Sequence, residues 1–410
     1  YHPLHPTLKG PDEHHILGRK VSHLVSHRNK LDSPRFHPYG WKGRTPVRKG
    51  CLNLNAHRVK NTGPTESTGG VHVAGLINPE IDALLEKTSR SFFITLQALP
   101  AKVRAQVGLL YLLARIADTV ADSKQGDTQI LRKTLQEYND RVQGRSEALP
   151  NFSELVRIQD NVSEAELLQN VTSVVACLGR FSANDQAMIR ECLEIIVSGQ
   201  SLDIERFGMA NDGGEIGSLG NENELDDYAY RVAGSVGEFW TRVSLAHLFK
   251  IHAKNEQKLF ENGVRFGKAL QLINILRDIP EDLRFGRCYI PIDTIVKFNL
   301  KPEDLLDPDN MDSFRPLYDH YIDLAASHLD AAVEYIGMLP YSQFRLRGAC
   351  MLPVLIGQRT LTLLRTQNAL DPDNRIKVLR PEIKMLKNKT IRSLIIPGAA
   401  QRLLKSNRVL

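Results

Sequence analysis

Little in this sequence suits a disulfide framework, a zinc ribbon or a membrane span. The five cysteines, at 51, 177, 192, 288 and 350, form no Cys-x-x-Cys pair. That spacing argues against structural zinc and fits a reducing compartment. No apolar run reaches the ~18 residues of a membrane-crossing helix. No basic-then-apolar segment of the secretory kind is present. No Gly-x-Gly-x-x-Gly follows a strand pattern, so no dinucleotide site is legible from spacing. Alternating strand patterns are few throughout.

The formal net charge is +6, but it is unevenly placed. Residues 1–75 hold 12 Lys/Arg against 4 Asp/Glu and nine of the 13 histidines. The remainder is therefore slightly acidic. The high pI belongs to the first 75 residues and gives no reason to expect a nucleic-acid-binding core. That segment lacks hydrophobic periodicity and reads as a disordered basic tail. Residues 76–390 read as one helical domain, and 391–410 as an amphipathic C-terminal extension interrupted by Pro397-Gly398. A cytoplasmic monomer is expected. Peripheral membrane contact through the tail or the C-terminal end is the open alternative.

What is there is helix. Asn78-Pro79-Glu80 supplies a cap, a first-turn proline and a first-turn acid. Pro100 opens a second helix that the Ser123–Asp127 segment closes. Further helical patterns cover about 128–143, 163–180, 184–204, 223–250, 255–285, 313–337 and 342–367, with shorter ones to 404. The predicted class is all-α.

Two of these apolar helices carry chemistry. On residues 103–122, Tyr111, Arg115, Asp118 and Asp122 step by four, three and four and share a face. On residues 267–291, Gln271, Asn274, Asp278 and Asp282 do the same, with Arg277 alongside. Carboxylates one turn apart on buried helices repel and resist desolvation. A divalent cation relieves both penalties, and Asp oxygens suit Mg²⁺, which also binds substrate phosphates. Two such ridges suggest a cavity for several Mg²⁺ ions and a diphosphate, with arginines as clamps. The plainer reading of the second helix is an exposed acidic turn paired with Arg277, Arg284 and Arg287.

Between helices, residues 207–222 (FGMANDGGEIGSLGNE) read as a mobile loop. Ala233, Gly234 and Gly237 then sit within a helix, where glycine costs about 1 kcal/mol against alanine. That cost is tolerable where another helix or a ligand approaches closely, and Tyr228 would line the cavity so opened.

The segments SRSF (89–92), YLLARIADTVAD (111–122), YRVAGSVGEFW (230–240) and NILRDIPEDLRFGRCYIP (274–291) resemble the squalene/phytoene synthase family, in its order and spacing. The resemblance covers roughly residues 78–390. It implies the isoprenoid synthase fold, a single all-α domain around a deep central cavity. It also implies Mg²⁺-dependent, head-to-head condensation of two prenyl diphosphates. Carried over by position, Asp118, Asp122, Asp278 and Asp282 would hold Mg²⁺, and Arg90, Arg115 and Arg277 would clamp phosphate. Gln271 and Asn274 would complete the polar wall and Tyr111 would orient a diphosphate. Tyr228, rather than Tyr230, matches the family tyrosine, a candidate proton acceptor or carbocation stabiliser.

The segments 344–365 and 375–383 look most like bacterial squalene synthases. By resemblance, two farnesyl diphosphates would pass through presqualene diphosphate, with NADPH reduction to squalene. Formation of presqualene diphosphate or hydroxysqualene without hydride transfer, and phytoene synthesis from a longer substrate, stay open. So does a non-catalytic, membrane-associated helical scaffold. The first motif departs from eukaryotic squalene synthases, which carry Glu-Asp-Asp where this chain has Ala121, Asp122 and Ser123.

Overall fold

The computed structural model describes residues 78–89, 92–123, 127–208, 216–396 and 398–407. The predicted basic tail, 1–75, and Arg90 lie outside the described residues. Residues 70–410 form one compact unit.

The first helices start where local chemistry dictates. Asn78 Oδ1 accepts from the Ile81 amide at 2.8 Å and opens α1, Pro79–Ser89. This satisfies one of the four amides that a helix start leaves bare. After α2 (Phe92–Ala98), Pro100 precedes α3, Ala101–Ala121, the first acidic helix. Asp127 caps α4, Thr128–Gln143, which Gly144 ends in the left-handed conformation at φ 77°. α5 (Ser153–Ile158), α6 (Val162–Gln169) and α7 (Val171–Ala176) are short. A 3₁₀ turn, Cys177–Arg180, leads to α8, Ala183–Phe207.

The single helix predicted over 163–180 is therefore split. Asn170 at the break turns its side-chain amide onto the Glu166 carbonyl at 2.7 Å, competing with the helix ladder. The pattern over 223–250 is also interrupted. It contains α9 (Glu222–Ala229), a π-helical turn at Tyr230–Gly234, and α10 (Ser235–His247).

α11, Ala253–Arg284, is the second acidic helix and the longest element. The one-turn α12 (Ile292–Ile295) precedes α13 (Met311–Met338) and α14 (Phe344–Thr366). α15 (Arg380–Ile395) runs unbroken through residue 391, where a separate extension was expected. α16 (Ala399–Ser406) closes the chain and buries Leu404 against the body.

The sequence reading of 207–222 as irregular loop needs a correction. Residues 209–215 lie outside the described set, but Gly217–Ser218 (β1) pairs in parallel with Arg287–Cys288 (β2). The Gly217 amide donates to the Gly286 carbonyl at 2.9 Å, and the Leu219 amide to the Cys288 carbonyl at 3.2 Å. Two-residue strands carry no alternation to read. Their pairing partner lies some 70 residues downstream, so only the tertiary fold creates them.

The core is a layered helical body, with α13 packed along α11 and α14 along α13. Fully buried side chains include Tyr138, Tyr318, Tyr321, Tyr335 and Phe314. Each buried tyrosine hydroxyl finds a partner, as Tyr318 does on the Leu276 carbonyl at 2.9 Å. Cys177, Cys192, Cys288 and Cys350 are buried free thiols.

Candidate active site

Helices from both halves of the domain enclose an apolar hollow of about 230 Å³. α3 contributes Tyr111 and Ala114, α8 Ile196, the π turn and α10 Val232 and Trp240, and α11 Gly267 and Leu270. The Tyr111 ring stacks on Phe92, centroids 5.3 Å apart, and its hydroxyl donates to the Thr88 carbonyl at 3.0 Å.

Glycines let these walls meet. A Cβ on Gly267 would fall 2.0 Å from the Ala233 carbonyl oxygen, and one on Gly237 would fall 1.9 Å from that of Gly263. The sequence-level reading of Ala233, Gly234 and Gly237 as a close approach thus gains its partner, α11. The π turn occupies this crossing, as such turns often do beside functional sites.

Beyond the hollow every wall turns polar at the same end. One turn past Ala114 on α3 comes Asp118, then Asp122. Past Leu270 on α11 come Gln271, half-buried, and Asn274, exposed, then Asp278 and Asp282. On α8, Gln200 and Asp203 follow Ile196 at four and seven residues, one face of the helix. On α9, Tyr228 lies at this end, before the chain enters the hollow. At 1.5 Å per residue, the carboxylates stand roughly 6–12 Å beyond the grease along α3 and roughly 12–18 Å along α11.

Electrostatics ties the polar groups into one centre. Asp118 keeps 42% of its side chain accessible although it lies deep in the protein mass, which places it on a solvent-reachable recess. Burial first, and then the charge of Asp122, pushes it up to about 7. Gln200 donates to Asp118 Oδ1. Asp282 is pushed up to about 8, chiefly by burial and then by Asp278 and Asp122, with Arg287 opposing. The two acidic helices therefore feel one another across the mouth. Arg287 joins them: its Nη1 donates to Asp122 Oδ1 at 2.9 Å, and its charge bears on Asp282.

The arginines are held by acids. Arg115 pairs with Glu164, and its Nη1 lies 3.9 Å from Asp118 Oδ2. Arg277 folds back on Asp278, its Nε donating to Oδ1 at 2.9 Å. Arg375, beyond α14, reaches Asp278 at 3.2 Å and Glu281 at 3.3 Å. The plainer sequence reading, an acidic turn paired with arginines, thus describes part of the site. Of the three arginines in that reading, Arg277 pairs with Asp278 and Arg287 with Asp122, while no such pair is found for the exposed Arg284 among the described residues.

Arg375, Asp203, Tyr289, Gln200 and Glu164 escaped the sequence reading, and Arg287 entered it only as a partner of the acidic turn in its own stretch of chain. Asp203 is 7% exposed and accepts from the Tyr289 hydroxyl at 2.7 Å. Tyr289 stacks on Tyr228 with centroids 4.8 Å apart. Burial raises Asp203 to about 6, with Tyr289 and Arg287 opposing. Burial, and then the Asp203 charge, holds the Tyr228 phenol well above its ordinary value. None of these residues belongs to an acid pair. The one available signal was Asp203 following Gln200 and Ile196 on one face.

Among the described residues, no three His, Cys, Asp or Glu side chains are preassembled as a metal cage. The donors still fit a hard cation. Asp118 and Asp282, one carboxylate of each pair, hold protons near neutrality, and a divalent cation would displace those protons. Arg115 Nε, Arg287 Nε, Gln200 Oε1 and Asp203 Oδ1 are also buried at the mouth without partners. Two unsatisfied donors and two unsatisfied acceptors suit an anion accompanied by a cation or water.

An all-α body around a cavity with a polar mouth and a greasy interior is the isoprenoid synthase fold. The squalene/phytoene synthase family model matches residues 85–382, and the chain belongs to that family. Members of the family are prenyltransferases acting on isoprenyl diphosphates.

Squalene synthase of Saccharomyces cerevisiae is 26% identical over 316 residues, 76% of this chain and 67% of the yeast protein. The 15-cis-phytoene synthase of Synechocystis is 26% identical over 61% of this chain and 66% of its own length. A bifunctional lycopene cyclase/phytoene synthase of Blakeslea trispora is 29% identical, with the match spanning only 31% of that protein. Among solved structures, TcSQS in complex with the ligand E5700 superposes with a TM-score of 0.67 at 20% identity, covering 82% of this chain and 90% of that one. A dehydrosqualene synthase gives 0.53 at 22% identity, covering 77% and 95%.

Proposed function

We propose that this chain is a squalene synthase, condensing two farnesyl diphosphates head to head through presqualene diphosphate. The observation that carries this reading is the axial order of the site. A polar mouth with two acid pairs and four arginines leads directly into an apolar hollow. That arrangement suits a diphosphate head on a prenyl tail. The squalene reading, over the phytoene one, is favoured by the broader coverage of the yeast squalene synthase match.

Asp118, Asp122, Asp278 and Asp282 would hold Mg²⁺, which when bound neutralises the diphosphate leaving group. Arg115, Arg277, Arg287 and Arg375 supply fixed positive charge where negative charge accumulates. Arg287 remains protonated: burial works against its charge, but the Asp122 carboxylate bonded to it helps hold it above the ordinary arginine value. Phe92, Trp240 and Phe266 help line a hollow that keeps water from an allylic cation. Tyr228 stays a neutral phenol, because burial and Asp203 disfavour its anion. Its ring rather than a phenolate would stabilise the cation. NADPH rests on the family resemblance alone, so no residue is assigned to it.

Incubation with farnesyl diphosphate and Mg²⁺, with and without NADPH, followed by mass spectrometry of extracted hydrocarbons, tests the reading. Squalene formed only with NADPH is expected. Product formed solely from geranylgeranyl diphosphate would replace the reading with phytoene synthesis. Asp203→Asn is expected to lower kcat/KM about 10–100-fold, the worth of a hydrogen bond to a charged group, with the helical circular dichroism retained. Unchanged steady-state kinetics would remove Asp203 from the site.

A further inference from the structure

The hollow has a second neighbour, on the side away from the acids. Between α2, α14 and α15 lies an apolar groove of about 750 Å³, and Thr95 and Ala349 line both the groove and the hollow. The two therefore share a wall at these residues. The hollow's 230 Å³ falls below the ~300–1,000 Å³ of ordinary ligand pockets. A long apolar product therefore needs more room than the hollow offers, and the groove adjoins it.

The mouth of the groove is unusual for a surface meeting water. Tyr341 (52% exposed), Phe344 (57%), Ile391 (51%) and Ile395 (76%) stand open along its rim. Ile396 continues the patch at 55%. Isolated exposed apolar groups need no explanation, but a contiguous cluster marks an interaction surface. Its charge is one-sided. Residues 383–407 contain six Lys/Arg and no Asp or Glu. All six (Lys384, Lys387, Lys389, Arg392, Arg402 and Lys405) are exposed. The one acid of α15, Glu382, is occupied by Arg359 at 2.6 Å.

Apolar side chains interleaved with unpaired cations complement an anionic lipid interface: the cations meet headgroups and the isoleucines enter the acyl boundary. We propose that this face of α15 docks on an anionic bilayer, and that the groove is the port through which the hydrocarbon product passes from the hollow into lipid. The docking stands on the surface alone; the port rests on the function proposed above.

The test uses the full chain, sedimented without substrate against phosphatidylcholine vesicles with and without phosphatidylglycerol. Wild type is expected to bind the anionic vesicles at least tenfold more tightly. The double variant Ile391→Glu/Ile395→Glu is expected to lose that binding tenfold or more. So is Lys387→Glu/Arg392→Glu, which leaves the apolar residues in place. Both should keep wild-type single-turnover rates in detergent, which shows that the fold is intact. Anionic vesicles should raise the steady-state rate of wild type severalfold and leave the variants unmoved.

Docking is overturned if wild type ignores vesicles, as it would if the face served an acidic protein. It is equally overturned if the variants bind like wild type, which would assign the binding to the basic residues 1–75. The port is overturned if docked wild type turns over no faster than free enzyme. A chain that binds vesicles through α15 yet condenses no prenyl diphosphate would instead sink the enzymatic reading and leave the docking in place.

Discussion

Asp282→Asn is expected to reduce turnover by about 10²–10³-fold, the usual cost of removing one preorganised electrostatic contact at a centre where charge develops. The substitution keeps the shape of the side chain and removes its charge. The helix should survive, because Asp282 sits near the end of α11 and caps nothing. The same variant has a stability signature with a definite sign. In the folded protein without metal, Asp282 is pushed up to about 8, whereas an unfolded aspartate titrates near 3.9. Between these values the folded state holds a proton that the unfolded chain has released. Folding stability from this group is therefore lost as pH rises from about 4 to about 8, and is level above that.

Asparagine lacks that liability. Metal-free Asp282→Asn should gain Tm relative to wild type as pH rises from 5 to 8. Addition of Mg²⁺ with pyrophosphate should reverse the order at pH 8, because cation binding expels the proton and needs the carboxylate. Differential scanning at three pH values, beside kcat/KM, reads both effects. Wild-type kinetics, or a Tm difference that shrinks toward pH 8, would remove Asp282 from the metal-binding role.

A comparable loss is expected from a single methyl group placed eleven residues before Asp278, roughly 16 Å along α11. Gly267→Ala would set a Cβ 2.0 Å from the Ala233 carbonyl oxygen. That atom is backbone and cannot swing aside, so the π turn and α11 must separate by about an ångström. Overpacking of this kind costs about 1–3 kcal/mol, and misplacement of catalytic groups by an ångström can cost about 10²-fold in rate. Tyr228 rides on one side of this crossing and Asp278 and Asp282 on the other, so their mutual positions would move. Expected results are a Tm lower by several degrees and a kcat depressed far more than the stability loss explains. Gly179→Ala, at a position with nothing within 4 Å of the new Cβ, is the control and should change neither. A fully active Gly267→Ala would show that the close crossing is not needed for catalysis.

The helical class and most helix positions were legible because they are local. Apolar periodicity, the Asn78 and Asp127 starts and the Pro100 boundary all act within a few residues of themselves. The carboxylate pairs were legible for the same reason, since four residues along a helix fixes a shared face. Errors fell where competition was settled elsewhere. The pattern over 163–180 broke at Asn170, whose side chain competes with the ladder. That over 223–250 took an extra π residue where α11 presses on it.

By itself the sequence determined which helices form and which two of them carry paired acids, because both depend on spacing along one chain. Only the tertiary structure decided what those acids face. Arg287 reaches Asp122 across 165 positions, Arg375 reaches Asp278 across 97, and Tyr289 reaches Asp203 across 86. Such partners leave no mark in local periodicity. They are brought together by the packing of helices around a hollow, and the packing depends on glycines whose neighbours lie on another element.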